Sequence, residues 1–275
     1  MSRLRRPDGV EIYWEERGEG PLVVLAAQFF GFPETFEGLV HDLARDHRVV
    51  TYHLRGTGKS SRRGPYDIDQ DADDLAALID ELGGQALVVA VGDGTIRALK
   101  AAALRPELVS AVVSPGGNPV GRTAATDTES LAGSDSVIDA LLGMLETDYR
   151  SALRTMLDTA NPQLDADGLR DRVNRTVEHC PHEAAVPRMR AWIVDDATEE
   201  AQALGDRLWL LEHGQNPWFP LEVARRTRRI LPEAHIEEVE DGPLTRPDIT
   251  AAVVRRLTAA SADARLNIEP ASPGA

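Results

Sequence analysis

The chain has 275 residues, 42% of them apolar, enough to bury one substantial core with a smaller attached subdomain. A formal net charge of −15 excludes the cationic face that nucleic acid or an anionic membrane surface demands. The single cysteine, Cys180, excludes an internal disulfide, and no apolar run reaches membrane-spanning length.

From the N-terminus, Met1 to Asp8 carries arginines with no apolar segment behind them, so no secretory signal is expected and the expected location is the cytoplasm. The basic runs Arg3–Arg6 and Arg225–Arg229 read as solvated surface. Val10 to Trp14 alternates like a strand, and after the Gly18-Glu19-Gly20-Pro21 turn, Leu22 to Ala26 has the composition of a fully buried one. A helix is predicted over 33–44, with Phe36, Leu39, Val40 and Leu43 on one face, then a strand over 47–53. Leu75, Leu78, Ile79 and Leu82 mark a helix over 69–82, followed by a strand at 86–91, a helix at 95–104 and a strand at 109–113. Such alternation implies parallel crossovers in an α/β sheet.

Between 121 and 204 only helical periodicity remains, over 136–157 and 168–178, broken at Asn161-Pro162 and at Pro181. Strands return at 207–211 and 234–239 with a helix over 221–230 between them, and a last helix opens at Pro247. The expected organisation is an α/β core from 1–120 and 206–260, a helical cap over 121–205, and a mobile tail over 261–275.

Three segments carry a family resemblance. Asp8-Gly9-Val10-Glu11-Ile12-Tyr13-Trp14 is similar to the first strand of the α/β-hydrolase fold. His53-Leu54-Arg55-Gly56-Thr57-Gly58-Lys59-Ser60 is similar to its D-x-R-G-x-G-x-S loop, with histidine for the first aspartate. Arg97 to Val109 resembles the helix behind its nucleophile turn. The resemblance runs from about residue 8 to 260 and implies a mostly parallel central sheet flanked by helices, with a helical cap.

It also implies a serine at the centre of G-x-S-x-G, an acid after the strand at 207–211 and a histidine after the strand at 234–239. The turn here reads Ala90-Val91-Gly92-Asp93-Gly94, the acid position falls on Asn216, and no histidine lies between Glu240 and Pro247. Without serine, orienting acid and base, the usual serine mechanism has no parts. The turn remains able to polarise a carbonyl, enolate or carboxylate oxygen through the first amides of the following helix.

Asp93 and His53 are the candidate catalytic residues, as acid or base and as proton carrier facing Gln28. For Asp93 the alternative is a first-turn carboxylate favouring the helix start, and for His53 a loop-stabilising hydrogen bond. Gln28 and Phe29 occupy the place of the family's oxyanion turn. With Gly92, Asn216 and Trp218 they are the candidate substrate-binding residues. His179-Cys180-Pro181-His182 matches no zinc spacing, and His53 stands where a phosphate-binding loop needs its first glycine. No metal, cofactor or nucleic-acid or membrane partner is therefore expected, only a small-molecule substrate.

The resulting expectation is a non-hydrolytic enzyme of cyclase, dehydratase, isomerase or lyase type, acting on a small apolar metabolite. Arginine and alanine usage suggests bacterial secondary metabolism as its setting. A non-catalytic ligand-binding protein, and a hydrolase with relocated residues such as Asp93, are the alternatives.

Overall fold

Short apolar runs rich in valine, leucine and alanine form the strands β1 (Ser2–Arg5), β2 (Glu11–Arg17), β3 (Leu22–Ala26), β4 (Arg48–Tyr52), β5 (Ala86–Ala90), β6 (Val109–Pro115), β7 (Leu208–His213) and β8 (His235–Val239). They make one sheet in the order β1-β2-β4-β3-β5-β6-β7-β8. β2 runs antiparallel to β1 and β4, and every other neighbouring pair is parallel. This computed structural model describes the chain except residues 1, 32, 121–134, 162, 215, 217–220, 241–245 and 267–275. For 33, 135–138, 141, 193, 194 and 261–266 it describes the backbone alone.

The helices are α1 (Glu37–Leu43), α2 (Ile68–Glu81), α3 (Gly94–Leu104), α4 (Asp135–Thr147), α5 (Tyr149–Ala160), α6 (Ala166–His179), α7 (His182–Val194), α8 (Thr198–Leu204), α9 (Leu221–Ile230) and α10 (Pro247–Leu266). Aspartates open three of them. Asp67 accepts from Gln70 N at 2.8 Å before α2, Asp148 from Ser151 N at 3.1 Å before α5, and Asp165 from Gly168 N at 2.8 Å before α6. One sheet face packs on Leu75, Leu78 and Leu99 of α2 and α3, the other on Leu39, Leu43, Ala251 and Val254 of α1 and α10. The fold is α/β, with a mostly parallel sheet between two helical layers. No described helix is long and apolar enough to cross a membrane.

Three local expectations need correction. In the basic run at Arg3–Arg6, Arg3 and Arg5 are exposed as expected, but Leu4 is buried in an edge strand and Arg6 pairs with Asp73 and Asp74. The single helix expected over 136–157 is two, because Asp148 caps the start of α5. Residues 261–266, expected in the tail, continue α10.

Candidate active site

β3 pairs with β4 on one side and β5 on the other, so the chain changes winding direction between β3 and β5. In an open α/β sheet that point forms a crevice at the carboxyl ends of the strands. Ala26 pairs with Ala90, and Val91 N–H donates to Ala26 O at 3.0 Å. The next residues, Ala27-Gln28-Phe29 and Gly92-Asp93-Gly94, are thereby brought together.

Gly92 has φ +59°, in the left-handed region, and no described residue other than glycine has positive φ. The strained position of the turn is therefore Gly92, and Asp93, at φ −63°, already has helical geometry. A Cβ on Gly92 would stand 3.1 Å from Gln28 Oε1, so Gln28 borders the direction a nucleophile side chain would take. Gly94 is required by packing, because its Cβ would lie 2.5 Å from Ala26 O. Gly117 closes the floor: its Cβ would lie 2.1 Å from Thr95 Oγ1 and 3.0 Å from Gly92 O.

Asp93 is buried and turned beneath this seat. Its Oδ1 accepts from Phe29 N at 3.1 Å and its Oδ2 pairs with Arg97, whose Nη1 donates to Ala27 O at 2.9 Å. The pair thus grips both sides of Gln28. Burial pushes the Asp93 carboxyl up to about 6, against the opposing pull of Arg97. The Asp93 backbone N–H has no acceptor among the described residues.

The clamp continues to the expected cap region through buried charges. Arg97 Nε lies 4.0 Å from Asp71, which takes a bidentate pair from Arg188 of α7 at 2.6 and 2.7 Å. Arg188 also donates to Arg55 O at 2.8 Å, and Arg55 forks onto Asp74 at 2.7 and 2.8 Å.

The described side-chain contacts of His53, expected to face Gln28, are with other residues. Its Nδ1 accepts from Lys59 N at 2.7 Å, and its ring lies between Tyr13 and His179, with centroids 5.1 and 5.0 Å away. Burial, with Lys59 nearby, lowers its pKa to about 4, so the ring is neutral at pH 7.

Phe29 is buried with its ring 4.0 Å from that of Phe30. Asn216 reaches the same floor from β7: its Nδ2 donates to Gly116 O at 3.2 Å, and Gly116 has φ +72°. Trp218 lies outside the described residues, as do residues 241–245, whose sequence contains no histidine. Gln28, Phe29, Gly92, Asp93 and Asn216 are thus gathered around one corner, while the described side-chain contacts of His53 are with Tyr13, Lys59 and His179.

Two groups at the end of β7 escaped the sequence reading. Glu212 is buried with Oε2 unpartnered among the described residues, and burial pushes its carboxyl up to about 8. His213 Nδ1 is likewise buried and unpartnered. Strand alternation could have placed these two on opposite faces, but their burial depends on tertiary neighbours.

A surface cleft of about 510 Å³, lined by Leu4, Arg6, Asp73, Asp80 and Leu104, contains none of these residues.

Comparison with known proteins agrees with this fold. The chain is 33% identical over 112 residues to polyketide synthase ThaQ of Burkholderia thailandensis, a match covering 40% of this chain and 5% of that protein. It is 30% identical over 159 residues to a 2-(acetamidomethylene)succinate hydrolase of Mesorhizobium japonicum, covering 57% of this chain and 55% of the hydrolase. The chain therefore spans a small part of the first relative and about half of the second. Among solved structures, an esterase of Exiguobacterium antarcticum superposes with a TM-score of 0.78 at 21% identity, covering 94% of this chain and 99% of the esterase. Residues 21–175 match the α/β hydrolase fold model. With that match over more than half its length and this strand order, the chain belongs to the α/β-hydrolase fold family.

Proposed function

We propose that this chain is an enzyme that uses the α/β-hydrolase scaffold without a covalent nucleophile. It binds a small, largely apolar metabolite through a carbonyl, enolate or carboxylate oxygen. It then promotes a cyclisation, dehydration, isomerisation or other lyase-type step. The observation that carries this reading is Gly92: the nucleophile's backbone geometry is present at φ +59° with no side chain to attack.

The open Asp93 N–H supplies polarisation at that seat, and Gln28 borders it with its carboxamide oxygen, an acceptor for a ligand hydroxyl or amide. The Asp93 carboxylate and Arg97 hold the Ala27–Phe29 strip around it, and His53 pins the 53–60 loop through Lys59 N. Asn216 and Trp218 are assigned to substrate binding. The similarity to polyketide synthase ThaQ supports a setting in bacterial secondary metabolism, and the cytoplasm is the proposed compartment.

The test pairs a fluorophosphonate serine probe with a broad ester panel. Neither labelling nor ester turnover is expected. Stoichiometric labelling of one serine in the folded protein would sink the proposal. A second reading is favoured by the hydrolases among the relatives: hydrolysis by direct attack of water at the same polarised carbonyl. Ester turnover without labelling would select it.

A further inference from the structure

A buried ring nitrogen without a partner calls for an explanation. His47 and His53 both have one, in hydrogen bonds to Asp46 and Thr258 and from Lys59 N. His213, the last residue of β7, has none among the described residues: its ring is half-buried and its Nδ1 is enclosed. Its Nε2 lies 4.0 Å from the point a Cβ on Gly116 would occupy, and Asn216 Nδ2 lies 3.2 Å from that same point. Asn216 N donates back to His213 O at 3.2 Å, which closes the loop over Gly116. Gly116 leads directly to Gly117, the residue packed on Gly92 O. The imidazole thus borders Gly116, the residue before the glycine packed on the Gly92 turn.

We propose that His213 is the proton-transfer residue of this site, acting on a carbon next to the oxygen held at the Asp93 amide. This assignment rests on the oxygen-polarising reading above. In the step, the C–H bond breaks and its proton goes to His213 Nε2. The bonding pair forms the new C=C bond while the carbonyl π pair moves onto oxygen, giving an enolate. Return of the proton at the same or another carbon completes the cycle, and no further reactant is needed. Burial alone lowers the His213 pKa, and no charged side chain contributes to that shift. The ring is consequently neutral and able to accept a proton at pH 7.

Cyclohexanone in D2O provides the probe. Exchange of its α-hydrogens is followed by proton NMR and its binding by saturation-transfer difference. The wild-type protein is expected to exchange at least tenfold faster than an equal concentration of imidazole. His213→Gln is expected to lose that excess while still binding. Exchange at the wild-type rate in His213→Gln, or a wild-type rate no higher than that of imidazole, overturns the assignment. Should His213→Gln not fold, carbethoxylation of His213 mapped by mass spectrometry replaces it, with loss of exchange on modification and recovery with hydroxylamine expected. Unchanged exchange after complete modification counts against the proposal. Gly92→Ala separates the two readings. If it binds and exchanges like wild type while His213→Gln does not exchange, the oxygen seat is wrong and His213 stands.

Discussion

Replacing Glu212 with glutamine should remove most of the alkaline sensitivity of this fold. The side chain is 2% exposed at the end of β7, and its Oε2 has no partner among the described residues. Burial holds its carboxyl near 8 instead of the ordinary 4.5. The sign follows from proton linkage. The folded state binds this proton more tightly than the unfolded chain, so stability is greatest below pH 4.5 and is lost as pH rises to about 8. At about 1.4 kcal/mol per pH unit, the loss reaches at most about 5 kcal/mol, a large share of the 5–15 kcal/mol typical of a domain. Glutamine has the shape of the protonated acid and does not titrate.

Urea unfolding of both proteins from pH 5 to pH 9 measures the difference directly. Asp93 and Asp195, whose carboxyls are also raised by burial, are present in both proteins and cancel in the comparison. The advantage of Glu212→Gln should grow by several kcal/mol between pH 5 and pH 8.5 and then level off. A difference independent of pH, or a carboxyl carbon resonance of Glu212 titrating near 4.5, would refute the reasoning.

Arg97→Met should destabilise the protein by about 3–5 kcal/mol in urea unfolding, because it leaves Asp93 buried without its paired cation. Asp93→Asn, which keeps an acceptor for Phe29 N, should cost clearly less than Arg97→Met in the same assay. Gly117→Ala places a methyl 2.1 Å from Thr95 Oγ1, and the required shift should cost about 1–3 kcal/mol, read as a lower thermal midpoint.

Much of the fold was legible because its cues are local. The valine-rich runs at 22–26 and 86–90 and the leucine spacing of α2 need no tertiary information. The Gly92 turn was legible for the same reason: strand, small residues and helix follow one another in the chain. β1 was missed because four residues, two of them arginine, make a strand only when β2 is there to pair with. The neighbours of His53 include His179, over a hundred residues away at the end of α6. The Asp93–Arg97 pair did have a sequence signal, since residues four apart on a helix face each other. Its burial, and hence its grip on residues 27–29, had none. Asp71, Arg188 and Arg55 assemble from α2, α7 and the 53–60 loop, and no spacing within the chain announces that meeting.

The geometry of the elbow is set by parts that do not include a nucleophile. A serine at φ +59° would carry strain of about 1–3 kcal/mol, which the surrounding packing must hold in place. Glycine removes that cost, yet close contacts still hold the turn. Gly94 is pressed against Ala26 O, Gly117 against Gly92 O, and the buried Asp93–Arg97 pair fastens the strip carrying Gln28. A scaffold relieved of function would be free to lose its most demanding feature, a charge pair buried under a turn, since apolar residues of similar volume are often as stable or more so. Here that pair holds Phe29 N and Ala27 O and so fixes Gln28 beside Gly92. The cost of burying the pair makes physical sense if the strip it fastens faces a ligand.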